Sequence, residues 1–336
     1  MKYLSNLDLT FFRIADLCGV STTTVQLYLD SYVSLPKPSL PISIGIDELH
    51  SKTMSSNDSS YLCILVDNIK RQPFDIIDSR SKKALNKYFS SFSANERKSV
   101  LFVTIDMWLP YKEVAAKQFP NAKIAVDPFH VVSNIYRAFT KLRVNIMNNV
   151  PYNSDAYYLL KKWNRLLISD TTYLDNEPKY NSRFKRKLNY RAILNMLLDI
   201  SDSLKVAYQL LSMYRLFNEV ATSDNCSVWL DSLISDFHSS NIPAYYECTQ
   251  MLINWKQEII NSFERPFDDR KLSNALTENI NSQIRAYLHL TRGTSNFTRF
   301  KKRILLSLNK KIFYSISDRI TSDKNFTRKR GKYNKS

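Results

Sequence analysis

Two carboxylates end apolar runs near the middle of this 336-residue sequence. Asp106 follows "VLFVTI", and Asp127 follows "AKIAV", with His130 three positions later. A third carboxylate, Asp47, ends the earlier run "ISIGID", and Glu278 flanks an apolar helical stripe far downstream. Carboxylate oxygens are the ligands that Mg²⁺ prefers, and two such ions about 3.5–4 Å apart can promote phosphoryl transfer. Asp47, Asp106 and Glu278 are therefore candidate metal ligands, although an Asp after a strand usually caps a turn or helix.

Residues 42–130 have the pattern of an α/β segment that would position these groups. The predicted strands are "ISIGID", "YLCILVD", "FDIID", "VLFVTI" and "AKIAV", and the predicted helices are "SKKALNKYFSSF" and "YKEVAAKQF". Three strands, a helix, a strand, a helix and a strand is the element order of an RNase H-like fold, with a mixed five-stranded sheet flanked by helices. In that fold the first and fourth strands are neighbours, so we expect Asp47 and Asp106 to lie side by side.

The rest of the chain after residue 130 is predicted to be helical. Residues 131–271 carry amphipathic helical patterns and almost no strand signal, which predicts a large all-α insertion domain. Residues 272–315 would complete the core, with a helix that buries the stripe Leu276, Ile280 and Ile284 and carries Glu278. Residues 316–336 form a basic tail that could contact phosphates through Arg328, Lys329 and Arg330, although most such tails are simply solvated.

Residues 1–32 are predicted to form a DNA-binding helix-turn-helix. The apolar helical positions are Ile14, Leu17, Val25 and Leu29. Gly19 fits the left-handed turn between the helices, and Ser21 fits the cap of the second helix. The second helix would present Thr22, Thr23 and Gln26 to DNA, with Arg13 supplied by the first helix. An ordinary helical hairpin is the alternative. The prolines of "VSLPKPSLP" predict an extended linker over residues 33–41.

The charge balance favours a polyanionic partner. Lys and Arg number 48 against 31 Asp and Glu, a net charge of +17, which suits nucleic acid; a solvated basic surface is the alternative. The four glycines argue against Gly-rich phosphate loops. No apolar run approaches the roughly 20 residues of a membrane span, and no signal peptide is evident, so we expect a cytoplasmic protein. The four cysteines lack C-x-x-C spacing, which argues against a zinc ribbon or a disulfide framework.

An ordered set of short motifs resembles the DDE transposases of the ISL3 family of bacterial insertion sequences. These motifs are "IGIDE", "VTIDMWLPY", "FPNAKIAVDPFHVV", "NALTENINSQI" and "RGTSNFTRFKKRIL", and the resemblance covers nearly all of residues 10–310. It implies that Asp47, Asp106 and Glu278 are the catalytic carboxylates. They would hold two Mg²⁺, with Mn²⁺ able to substitute, and no covalent enzyme intermediate is implied.

Asp127 and His130 resemble the D-x-x-H signature that follows the second catalytic residue of this family. Because Pro128 suits a first helical position, Asp127 is expected to cap that helix, with His130 one turn inside. His130 would orient the site or contact the DNA backbone, and a structural cap with a satisfied histidine is the alternative. Trp163, flanked by basic residues, is a candidate for stacking on a displaced base, although a core position is the usual role of such a residue.

The resemblance implies a transposase that binds terminal inverted repeats, cuts DNA and joins the new 3′ hydroxyl to target DNA. Its partner would be double-stranded DNA at the transposon ends and the target, bound by a homodimer near the nucleoid. Arg292 is also assigned to DNA binding, and no membrane or small-molecule substrate is expected. A catalytically degenerate DNA-binding protein or repressor and an RNase H-like structure-specific nuclease are the alternatives. The sequence departs from the family in lacking its N-terminal zinc ribbon, so no zinc is expected, and in having Ala275 and Asn279 at usual glycine positions.

Overall fold

The computed structural model describes residues 1–51, 60–169, 174, 176–267, 270–291 and 296–309. The chain divides into two compact units. We name them by their order in the chain: the described residues of Met1–Val100 and from Leu276 onward form the outer unit, and those of Leu101–Ala275 form the central unit. No helix within the described ranges is both long and apolar enough to cross a membrane.

Antiparallel strands form the sheet of the outer unit. They are β1 (Ser43–His50), β2 (Tyr61–Asp67) and β3 (Gln72–Ile77), and β2 pairs with both of the others. Asp47 lies opposite Ile64 in the β1–β2 register. The prediction that the first strand ends at Asp47 is wrong, because Glu48 to His50 continue the pairing with β2. Asp47 therefore lies inside a strand, where the paired residues before and after it in β1 restrict its backbone.

The helices of the outer unit lie before and after the sheet in the chain. They are α1 (Phe11–Cys18), α2 (Thr22–Tyr32), α3 (Lys82–Ser90), α4 (Ala94–Lys98), α13 (Ala275–Leu290) and α14 (Phe297–Leu308). The predicted stripe on α13 is confirmed: Ile280 and Ile284 are buried against β1–β3 residues, with Leu276 packed at the edge. Arg303 on α14 is fully buried and donates to main-chain oxygens of Asn6 at 2.6 Å and Leu9 at 2.8 Å. These bonds attach the N-terminal segment to α14.

The turn between α1 and α2 forms as the local sequence predicts. Gly19 has φ 64°, a left-handed conformation that favours glycine. The Ser21 hydroxyl accepts a 3.0 Å bond from the Thr24 N–H and caps α2. Val25 is buried in the small core of this helical pair, as predicted. The apolar pattern predicted for α1 holds for Ile14, which is buried in the same core, but not for Leu17, which is 47% exposed.

The central unit begins with a parallel strand pair. These strands are β4 (Phe102–Ile105) and β5 (Lys123–Val126), joined through α5 (Leu109–Gln118). The helices that follow in the described residues are α6 (Pro128–Asn149), α7 (Asp155–Lys162), α8 (Tyr190–Leu198), α9 (Asp202–Val220), α10 (Cys226–Ser239), α11 (Tyr246–Asn254) and α12 (Lys256–Asn261). Together the two units supply five core strands of mixed direction in the predicted order of elements, which is consistent with an RNase H-like core.

A short β-hairpin interrupts the helical part of the central unit. It consists of β6 (Lys179–Asn181) and β7 (Arg186–Leu188), paired antiparallel. The expectation of an all-α segment over residues 131–271 is wrong at this point. Each strand is only three residues long and lies in a run of charged side chains, so no apolar alternation marks it in the sequence.

Candidate active site

Asp47 is a buried carboxylate held by neutral hydrogen-bond donors. One oxygen accepts the N–H of Glu48 at 2.7 Å, and the other accepts the side-chain amide of Asn281 at 2.6 Å. Asp47 is 6% exposed and Asn281 is fully buried. These donors fix the direction of the carboxylate. Glu48, the next residue, instead pairs with Arg80 at 2.6 Å.

Glu278 lies on the same helix as the amide that holds Asp47. It stands three residues before Asn281 on α13, which is the spacing of helical neighbours. Its side chain is half-buried, while Thr277 beside it is fully buried. Because the Asn281 amide also donates to the Glu48 carbonyl at 3.2 Å, it ties α13 to the middle of β1. The outer unit thus fixes the helix of one predicted catalytic residue against the strand of another.

Asp106 follows β4 directly, as the sequence predicts, and its partners in the central unit include an amide and an imidazole. Its Oδ1 accepts the Asn274 side-chain amide at 2.9 Å and lies 3.1 Å from His130 Nε2. The Thr104 hydroxyl donates to Asn274 Oδ1 at 3.0 Å, which fixes the orientation of that amide. The Asp106 side chain is 13% exposed. It is therefore oriented by an amide and an imidazole at the end of its strand.

Asp127 is the helix cap that the sequence predicts. It is the N-cap of α6, and its Oδ1 accepts the N–H of Phe129 at 2.8 Å. Its second oxygen accepts the main-chain N–H of Asn274 at 2.7 Å. Burial raises the pKa of Asp127, and the two N–H donors partly offset that rise. Both oxygens are committed to main-chain donors, so the cap also holds the segment that carries Asn274.

Asn274 links the two strand-end carboxylates of the central unit. Its backbone donates to Asp127 and its side chain donates to Asp106. Sequence reasoning missed both Asn274 and Asn281 as site residues. The available signal was weak: each is a polar residue within four positions of Glu278, in a segment that otherwise follows an apolar helical stripe. Both asparagines are fully buried, which is uncommon for this side chain without a hydrogen-bonding role.

The residues predicted to bind DNA differ in their surroundings. Thr23 is exposed and Thr22 half-buried, while Arg13 pairs with Asp16 on its own helix at 2.7 Å. Gln26 is half-buried, and its Oε1 accepts a 3.0 Å bond from Arg299 of α14. The remaining basic candidates fall outside the described residues: Arg292, Arg328, Lys329 and Arg330. Among the described residues, the predicted reading surface therefore consists of α1 and α2.

Trp163 directly follows α7 as its C-cap and is half-buried. It lines a cleft of about 90 Å³ with Tyr180 and Tyr190, and its ring centroid lies 6.0 Å from that of Tyr190. The buried indole N–H has no hydrogen-bond partner among the described residues. Its predicted stacking on a displaced base stays a prediction.

Comparison with known proteins places these features in a family context. A family model for transposases of the DDE ISL3 type matches residues 44–304. The transposase for insertion sequence element IS1001 from Bordetella parapertussis is 28% identical over 118 residues. That match covers 35% of this chain and 29% of the length of the relative. No solved structure matches the chain.

Proposed function

Because the chain belongs to the ISL3 family of DDE transposases, we propose that it binds the terminal inverted repeats of an insertion sequence, cuts the DNA and joins the ends to a target. The family model spans most of the chain, including every predicted catalytic carboxylate. The net charge of +17 suits a polyanionic substrate of this kind. We propose a homodimer on DNA, because two ends must be cut and joined together.

We assign catalysis and metal binding to Asp47, Asp106 and Glu278. Their carboxylate oxygens are hard donors that fit Mg²⁺ or Mn²⁺. Two such ions, when bound, would activate the attacking hydroxyl and stabilise charge on the leaving oxygen. The hydrogen bond from Asn281 to Asp47 is the observation that carries the assignment, since it ties the helix of Glu278 to the strand of Asp47. A buried amide bonded to a carboxylate, one helical turn from a second carboxylate, fits a prearranged ligand set.

Asn281, Asn274 and His130 are proposed as positioning residues. Asn281 directs the Asp47 carboxylate, while Asn274 and His130 act on Asp106. Ligating carboxylates commonly need such partners, and removing them weakens metal binding or activity by about 10- to 100-fold. His130 contacts Asp106 through Nε2, which favours a role in orienting the site over a contact with the DNA backbone.

We propose that α2 reads the DNA ends through Thr22, Thr23 and Gln26, with Arg13 contributing from α1. Arg299 donates to Gln26 and also bonds the Asp30 carboxylate at 2.8 Å, so it would hold the Gln26 amide in one orientation. A preset amide is suited to bidentate recognition of a base edge. Arg299 thus becomes part of the proposed reading surface.

A strand-transfer assay tests the proposed function. Labelled DNA carrying the inverted repeats that flank the gene is incubated with plasmid and Mg²⁺, and joined products are measured. A transposase yields joined products; a nuclease yields cut but unjoined ends, and a degenerate DNA-binding protein yields neither. Asp106→Asn serves as the inactive control. Joining that persists without divalent metal, or an absence of cutting by folded protein that binds the ends, contradicts the proposal.

A further inference from the structure

The β6–β7 hairpin carries a dense positive charge. Residues 179–187, "KYNSRFKRK", contain five Lys or Arg and no Asp or Glu. All five cationic side chains are exposed. Lys185 in the turn has φ 50°, a conformation that few residues other than glycine adopt without support from their surroundings. The hairpin thus presents five exposed cations on its two strands and the turn between them.

The hairpin is anchored to α7. Buried Asn181 accepts the N–H of Arg183 at 3.0 Å and thereby closes the turn. The Phe184 ring packs edge-on against Tyr158, with 5.9 Å between centroids. Arg183 Nε lies 2.8 Å from the Asp155 carboxylate in the first turn of α7. These contacts hold the hairpin in one position beside the helix.

A cleft of about 170 Å³ lies where the hairpin meets α7. Its lining residues are Tyr152, Asn153, Tyr157, Tyr158, Lys161, Lys162 and Arg183. Tyr152 is 74% exposed, and its ring centroid lies 5.0 Å from that of Tyr157. Lys161 Nζ lies 5.3 Å from the centre of the Tyr157 ring. Aromatic rings and cations therefore lie together in the cleft.

We infer that this hairpin and cleft bind an unpaired nucleic-acid strand, with a base stacked on Tyr152 and phosphates on the hairpin cations. Aromatic platforms beside a basic track are the usual means of holding single strands. The lining of the cleft combines tyrosine rings with lysine and arginine side chains, which suits a stacked base with its phosphate alongside. In a duplex, base faces are already stacked and cannot reach an exposed tyrosine. The inference rests on the proposed function in one respect, because the strand that it places in the cleft would belong to the DNA substrate of the transposase.

A binding assay without metal tests the inference separately from catalysis. Fluorescein-labelled oligothymidylate of about 20 nucleotides and a duplex of the same length are titrated with full-length protein in EDTA. We expect tighter binding of the single strand. Tyr152→Ser should weaken that binding by about 5- to 100-fold, the range for loss of one stacked base, and Tyr152→Phe should retain it. Tyr246→Ser, which removes another exposed tyrosine of the central unit, should have no effect.

The charge contribution has its own control. Lys187→Gln on β7 should weaken binding and reduce the slope of affinity against salt, whereas Lys205→Gln at an exposed site on α9 should do neither. Equal loss from Tyr152→Phe and Tyr152→Ser overturns the stacking claim. Equally strong competition by polyglutamate would show a general anion surface and overturn the claim of nucleic-acid binding. If the strand binds as expected and transfer fails, the proposed function is wrong and this inference stands.

Discussion

The side-chain amide of Asn281 donates a 2.6 Å hydrogen bond to Asp47, which lies 234 positions earlier in the chain. The bond is buried and joins the middle of β1 to the helix that carries Glu278. Such a contact restricts both elements at once. It makes Asn281 the first target for testing how the proposed catalytic residues are positioned.

Replacing Asn281 with Ala should reduce strand cleavage by about 10- to 100-fold, because Asp47 loses a donor that directs it. The buried amide also contributes to folding, so the free energy of unfolding should fall by about 1–3 kcal/mol. Asn279→Ala on the exposed side of α13 is the matched control. Cleavage rates at saturating Mg²⁺ and urea unfolding measure the two effects. Normal cleavage by the folded Asn281 variant contradicts the positioning role.

Asp47→Asn, Asp106→Asn and Glu278→Gln should each abolish metal-dependent cleavage and strand transfer. We expect losses of roughly 10³-fold or more, the scale for removing one member of a catalytic set. Each variant should still bind end DNA and remain folded, because the substitutions keep the shape of the side chain. If the folded Asp127→Asn variant is inactive while Asp106→Asn still cuts, the second catalytic carboxylate has been misassigned.

Asp127 should give stability a characteristic pH dependence. Burial raises its pKa in the folded protein above the unfolded value of about 3.9. The folded state therefore binds this proton more tightly than the unfolded state does. The resulting stabilisation is complete below that unfolded value and is lost as pH rises through the raised pKa. An amide at this position does not titrate, so the stability of wild type relative to Asp127→Asn should fall over that interval.

Urea unfolding of both proteins between acid and neutral pH measures this difference. In the variant, an amide also replaces the carboxylate that accepts the Asn274 N–H. The loss of stability from weakening this hydrogen bond does not depend on pH. Asp224→Asn, at an exposed site, controls for removing one negative charge. A constant or rising relative stability of wild type across the interval contradicts the raised pKa.

Gln26→Ala should reduce the preference for end DNA over random DNA by about 5- to 100-fold, the value of one good base contact. Arg299→Ala should act in the same direction, since it releases the Gln26 amide. Gln250→Ala, at an exposed position on α11, is the control. Competition binding with the flanking repeats and a scrambled duplex is the measurement. An unchanged preference in the Gln26 variant means that another surface reads the ends.

Trp163→Ala should slow cleavage if Trp163 stacks on a displaced base, a contact worth about 1–3 kcal/mol. Trp163→Phe should retain most activity, because it keeps an aromatic face in the cleft with Tyr180 and Tyr190. Normal cleavage by folded Trp163→Ala protein removes the stacking role and leaves a packing role.

Local chemistry determined the features that the sequence predicted well. Pro128 allows a helix to begin directly after Asp127, and the cap follows from that neighbour alone. Gly19 and Ser21 likewise set the turn before α2 through their own backbone and side-chain preferences. The α13 stripe was readable because a helix buries every third or fourth residue. In each case the interacting groups lie within a few residues, so the sequence by itself was sufficient.

Tertiary structure decided the features in which distant segments meet. Asp47 was placed at a strand end because its local pattern changes there, yet pairing with β2 extends β1 to His50. The bonds of Asn274 to Asp106 and of Asn281 to Asp47 each span more than a hundred residues. An asparagine has no local preference that reveals such a partner. The direction and burial of its amide follow only from how strands and helices pack, which local sequence patterns do not encode.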